Sequence, residues 1–152
     1  MKRFIAFILL AAMLISCVPF AASASEHLSS KEIIYLEDSS YIVIELNVTE
    51  HRSASSKTAS KSYTCTANNG EEKWKATLTG TFTYNGTSAS CTAASCTVSI
   101  TDDVWYVISK SASKSGNSAI GNVVMGRKFL GIKIDEETLN MKITCDASGS
   151  IS

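Results

Sequence analysis

Proline is all but missing from this chain: Pro19 is its only one. Proline-set turns and proline-rich linkers are therefore excluded from everything that follows residue 19. Histidine is nearly as scarce, with only His27 and His51. Both fall in polar segments, and no Gly-x-Ser-x-Gly elbow accompanies them, so a serine-hydrolase constellation finds little support. No Cys-x-x-Cys pair is present, which argues against thioredoxin-type redox chemistry, and no EF-hand spacing occurs. Charge of one sign is not in excess: 14 basic residues face 14 acidic ones. A nucleic-acid partner would select a basic face, which this balance does not offer. Beyond residue 24 no apolar run approaches the ~20 residues needed to span a bilayer. Leucine is sparse, while serine and threonine are abundant.

The apolar residues that do cluster lie first at the start. Lys2 and Arg3 precede an almost unbroken apolar stretch over residues 4–15, then Pro19, then Ala22-Ser23-Ala24. This order is that of a secretory signal peptide over residues 1–24, cleaved after Ala24. Its removal leaves a formal charge of about −2. Leu14-Ile15-Ser16-Cys17 also fits a lipobox. In that alternative Cys17 carries two acyl chains and the protein is a membrane-anchored lipoprotein. The expectation is a secreted, extracellular protein with no membrane attachment unless Cys17 is lipidated.

What remains is one domain by size, and its pattern is that of strands. A polar lead-in over residues 25–40 ends in Ile33-Ile34-Tyr35-Leu36, read as an edge strand or a helical turn. The sandwich domain is expected over residues 41–152. Ile42, Ile44, Leu46 and Val48 share one face of a half-buried strand. Residues 49–62 are rich in Ser and Lys without an apolar period and read as a long loop. Trp74, Ala76, Leu78, Gly80, Phe82 and Tyr84 then alternate with Lys75, Thr77, Thr79, Thr81 and Thr83. A period of two held for this long excludes an amphipathic helix. Asn85-Gly86 closes it with a strong hairpin signal. Residues 92–95 read as a short connection, residues 109–118 as a second Ser/Lys segment, and residues 135–138 as an acidic turn. Gly126 and Gly131 suggest bends or a bulge. Leu139, Met141, Ile143 and Cys145 share the face of a last strand. Seven to eight such strands indicate an all-β antiparallel sandwich of immunoglobulin-like type.

Cys65, Cys91, Cys96 and Cys145 follow the leader, and an even set in an exported domain reads as two disulfides. Cys91 and Cys96 flank what reads as a short loop between adjacent strands, so they are expected to pair. Cys65 and Cys145 occupy inward positions and form the expected second bond. Zinc is a weaker reading, because Cys65 and Cys145 have no partner close in sequence.

Residues 74–77, 83–86 and 111–116, the Cys91 and Cys96 pair, and residues 141–146 resemble small secreted β-sandwich proteins of Gram-positive bacteria that have no assigned function. The resemblance covers residues 60–152. It implies a bacterial, exported sandwich, and it carries over no activity and no catalytic residue.

Two features could bind a ligand. Trp105, if exposed, would be a stacking platform and a binding hot spot. Thr77, Thr79, Thr81 and Thr83 form a hydroxyl ladder that could meet ice or a flat polysaccharide, although an outward face of high β propensity explains it equally. Asp102-Asp103 and Asp135-Glu136-Glu137 read as solvated turns before they read as a calcium site. No catalytic, metal or cofactor residues are expected. The sequence points to a non-enzymatic exported domain that binds a surface, glycan or protein. The alternatives are a small secreted hydrolase with His51 as base, and an inhibitor or toxin-like protein.

Overall fold

The computed structural model describes residues 29–36, 38–50 and 55–152. The leader with Cys17 and Ala24, and both histidines, lie outside the described residues. Eight strands follow in order: β1 (Ser29–Tyr35), β2 (Tyr41–Glu50), β3 (Ser56–Thr66), β4 (Glu72–Tyr84), β5 (Ala89–Ile100), β6 (Trp105–Ser115), β7 (Ser118–Phe129) and β8 (Ile132–Thr144). No helix among the described residues is long and apolar enough to cross a membrane.

The strands form two antiparallel sheets, a five-stranded one in the order β1-β2-β3-β4-β5 and a three-stranded one in the order β6-β7-β8. Within each sheet every strand pairs only with its neighbours in sequence, and the chain changes sheet between β5 and β6. The crossovers of the Greek-key immunoglobulin arrangement are therefore absent among the described strands. The expected all-β, two-sheet architecture is present, and its connectivity is a meander. β1 begins the sheet within what reads as a lead-in, pairing Ser29 to Tyr35 with Asn47 to Tyr41.

The core is the space between the sheets. From β4 it takes Trp74, Ala76, Leu78 and Phe82, and from β8 Leu139, Met141 and Ile143, as the period-two pattern requires. Gly80 shows how tight the contact is. A Cβ there would lie 2.7 Å from the Phe82 ring and 2.8 Å from Ala119 Cβ on the opposite sheet. The unequal strand numbers explain the exposure of β1: three strands cannot cover the inner face of five. Ile33, Ile34 and Tyr35 all remain solvent-exposed.

Both Ser/Lys segments are strand rather than loop where they are described. β3 starts at Ser56, and its hydroxyls pair with those of β4: Thr58 with Thr81 at 3.3 Å, Ser60 with Thr79 at 3.0 Å and Ser62 with Thr77 at 3.1 Å. β6 runs through to Ser115 along β7 and turns at Gly116-Asn117. Residues 92–95 are also strand, and a bulge beside Thr81 and Phe82 lets both Cys91 and Cys96 lie on the inner face of β5.

That bulge revises the cysteine map. All four cysteines are free thiols in this structure. Cys91 and Cys96 occupy one strand, and five residues of extended chain put their Cα atoms about 16 Å apart, beyond the reach of a disulfide. Cys65 and Cys145 are both fully buried, but at opposite ends of the sandwich. Cys65 pairs with Ile42 and Trp74, and the charges that act on it are Lys73, Asp38 and Glu137. Cys145 lies by Asn117 and feels Asp146 and Lys57. Lys57 is at the far end of β3 from Cys65, roughly 26 Å away along the strand. Neither expected disulfide is compatible with this arrangement.

Candidate functional site

β8 carries an inner-face row that changes character along its length. Cys145, just past the strand end, is buried, as are Ile143, Met141 and Leu139. Two residues further on, Glu137 lies opposite the buried Met125, and Asp135 lies opposite Arg127. The row thus turns from apolar to acidic where the two sheets part. Here a cleft of about 450 Å³ opens, lined by Tyr35, Leu36, Asp38, Trp105, Asp135 and Glu137. The expected acidic turn at residues 135–138 is part of strand β8, and the true turn comes earlier, at Leu130-Gly131.

The carboxylates of the cleft are not equivalent. Asp38 is tied on every side. Its Oδ1 accepts from the Ser40 amide at 3.0 Å and from the Ser40 hydroxyl. Its Oδ2 accepts from Arg127 Nη1 at 3.0 Å and lies 3.7 Å from Lys73 Nζ. The Ser40 hydroxyl bond, opposed by some burial and aided by the two cations, holds its pKa below the ordinary value. Glu137 is pushed the other way, by burial first and then by the negative charges of Asp135 and Asp38. Lys73 and Arg127 are occupied with Asp38, so the cleft keeps an uncompensated negative potential around Glu137.

Trp105 does not stand out as a platform. It is 4% exposed and packs edge-on against Trp74 at 5.9 Å between ring centroids. It forms part of the cleft wall. Its indole Nε1 is buried without a hydrogen-bond partner, as is that of Trp74; such a donor costs about 1–3 kcal/mol. The threonine ladder lies on the outer face of the larger sheet. Thr77, Thr79 and Thr81 already bond hydroxyls of β3, and Thr83 is exposed near the strand end. These bonds knit two strands together, which is a structural task.

The feature that sequence reading missed sits beside the cleft. The β7–β8 hairpin ends in Phe129-Leu130-Gly131-Ile132, and Phe129 is 64%, Leu130 86% and Ile132 70% exposed. Ile134 is exposed as well. Leu130 and Gly131 have φ of 49° and 79°, the signs of a type I′ turn. Asn or Gly suits the first central position, whereas a leucine in the left-handed region is strained by about 1–2 kcal/mol. The signal available in the sequence was the apolar residue at the turn, where a polar one is ordinary. Arg127, next to this tip, is the residue that clasps Asp38 in the cleft.

Among the described residues no group of three or more His, Cys, Asp or Glu side chains is placed to hold a metal ion. Asp102 Oδ1 accepts from the Val104 amide at 3.1 Å and so serves its own turn. No family model, curated protein or solved structure matches this chain.

Proposed function

We propose that this protein is an exported, non-enzymatic binding domain that engages a protein partner through the end of the sandwich bearing the Leu130 hairpin and the acidic cleft. The leader over residues 1–24 supports export. The observation that carries the binding reading is the tip itself: a strained, 86% exposed leucine flanked by two other exposed apolar side chains. An apolar protrusion of this kind gains free energy only when something covers it. The neighbouring cleft supports the choice of partner. Its uncompensated carboxylates suit a lysine or arginine side chain beside an apolar groove. A glycan would use the carboxylates, but has no use for Phe129, Leu130 and Ile132 together.

A displayed library of random peptides, selected on the immobilised protein, tests this. Enriched sequences should place Lys or Arg next to apolar residues, and a Phe129→Ser, Leu130→Asn variant that keeps its β-sheet circular dichroism should lose at least tenfold in affinity for them. Retention of those peptides by the variant would overturn the reading. So would a selection that yields nothing while an array of soluble glycans gives binding that depends on Glu137.

A further inference from the structure

The geometry points to a disulfide between Cys91 and Cys145, formed as the chain folds in the presence of a disulfide oxidant, and to no other cysteine pairing in this fold. The β6–β7 turn contacts both. The amide of Cys91 donates to the carbonyl of Gly116 at 2.9 Å, and the amide of Cys145 donates to the carbonyl of Asn117, the next residue, at 3.0 Å. The turn is clasped further by Asn117 Nδ2, which donates to the carbonyl of Cys145 at 2.6 Å. Two cysteines from different sheets are thereby fixed to adjacent peptide groups at one end of the sandwich. Both are buried, Cys145 completely.

In the reduced state each thiol is turned to a nearby carbonyl, Cys91 Sγ to Ala93 O at 3.2 Å and Cys145 Sγ to Asp146 O at 3.4 Å. These are weak bonds that a rotamer change releases. The other two cysteines are excluded by position. Cys65 lies at the opposite end, and Cys96 lies further along β5, opposite Leu78. The bond would tie the edge of the five-stranded sheet to the last strand of the other, across a junction that no β-ladder spans.

The chemistry is thiol–disulfide exchange with a small-molecule disulfide. One cysteine thiolate attacks the oxidant, forms a mixed disulfide and releases one thiol. The second thiolate then attacks the mixed disulfide and releases the other. The two electrons lost by the cysteine sulfurs, and their two protons, end on the two released thiols.

Refolding the reduced full chain in a buffer of reduced and oxidised glutathione, followed by alkylation and non-reduced tryptic mapping, tests the assignment. The chain has no Lys or Arg between Lys75 and Lys110, so Cys91 and Cys96 share one peptide. A Cys96→Ala variant, at a half-buried position beside Ala94, separates them. The expected result is a link between the 76–110 and 143–152 peptides in this variant, with an intact mass roughly 2 Da below that of the reduced chain. Four results would each overturn the proposal. They are a link from Cys145 to the Cys65 peptide, free Cys91 and Cys145 in the variant, glutathione adducts that persist on either residue, and the 76–110 to 143–152 link retained in Cys91→Ala.

Discussion

Leu130 pays twice for its place, once in a backbone conformation that asparagine or glycine adopts freely and once in an apolar side chain left in water. Leu130→Asn should therefore stabilise the isolated domain, by about 1 kcal/mol, seen as a higher urea midpoint, while weakening partner capture. A variant with lower stability would mean that the leucine packs on the hairpin and is not held for a partner. Glu137 has the same logic in charge. Its pKa is raised by burial and by Asp135 and Asp38, so its contribution to stability is fully present below its ordinary pKa of 4.5 and is lost as pH rises through the folded value. Glu137→Gln should therefore raise the urea midpoint at pH 7 and leave it unchanged near pH 4. Cys65 behaves likewise at the alkaline end. Burial first, resisted by Lys73, pushes its thiol up to about 11 from 9.0. The folded state keeps the proton that the unfolded chain gives up, so stability falls between pH 9 and 11, by about 2–3 kcal/mol when complete. Comparison with Cys65→Ala isolates this loss, because the other alkaline titrations are common to both proteins. Equal losses in the two would show that Cys65 ionises freely in the native state.

At the scale of elements, β4 holds the two sheets at their spacing. Its inner row leaves a gap at Gly80, and that gap admits the Phe82 ring and the Ala119 methyl from the facing sheet. Gly80→Ala puts a methyl within 3 Å of both. Overpacking of this kind costs about 1–3 kcal/mol, and thermal unfolding of the variant should show it. An unchanged midpoint would mean that β4 and β7 can separate without loss. The outer row of β4 is held differently, by side-chain hydroxyls shared with β3. Such pairs explain why a segment without apolar alternation is still a strand. Ser60 and Ser62 need no apolar face, because their partners are hydroxyls across the ladder. β6 makes the same point on the other sheet. Its residues from Ile108 to Ser115 are exposed, and it is kept extended by its ladder with β7 and by Lys114 Nζ, which donates to the Thr92 carbonyl of β5 at 2.9 Å.

For the whole molecule, the meander order leaves the two sheets joined by the turn after Ile100, where the amides of Thr101 and Asp102 donate to the carbonyl of Lys73. With sequential pairing throughout, most contacts are between neighbours in sequence, which favours folding without long-range threading. The same order puts Tyr35, Asp38, Trp105 and Asp135 at one end, although they come from three distant parts of the chain. The turn at Gly116-Asn117 and the C-terminal segment meet at the other end. The molecule thus has a cleft end and a closing end. The proposed export carries one prediction at this scale: the mature protein should start at Ser25, which the intact mass of material recovered from the culture medium checks. A diacylated Cys17 would place it on a membrane.

Composition and period alone determined that the chain is all-β, which residues of β2, β4 and β8 face inward, and that Asn85-Gly86 turns the chain. These depend on local alternation and on the backbone freedom of single residues, both of which act within a few positions. Tertiary structure decided the rest. A one-residue bulge in β5 put Cys91 and Cys96 on one strand and one face, and no alternation count anticipates an inserted residue. The Ser/Lys strands are held by hydroxyl partners that only the register supplies. Trp105 was closed off by Trp74, from another sheet. The cleft, and the contacts of the β6–β7 turn on which the proposed Cys91–Cys145 bond rests, arise where distant parts of the chain end side by side, and such proximity is set by sheet order, which the chain's local pattern does not encode.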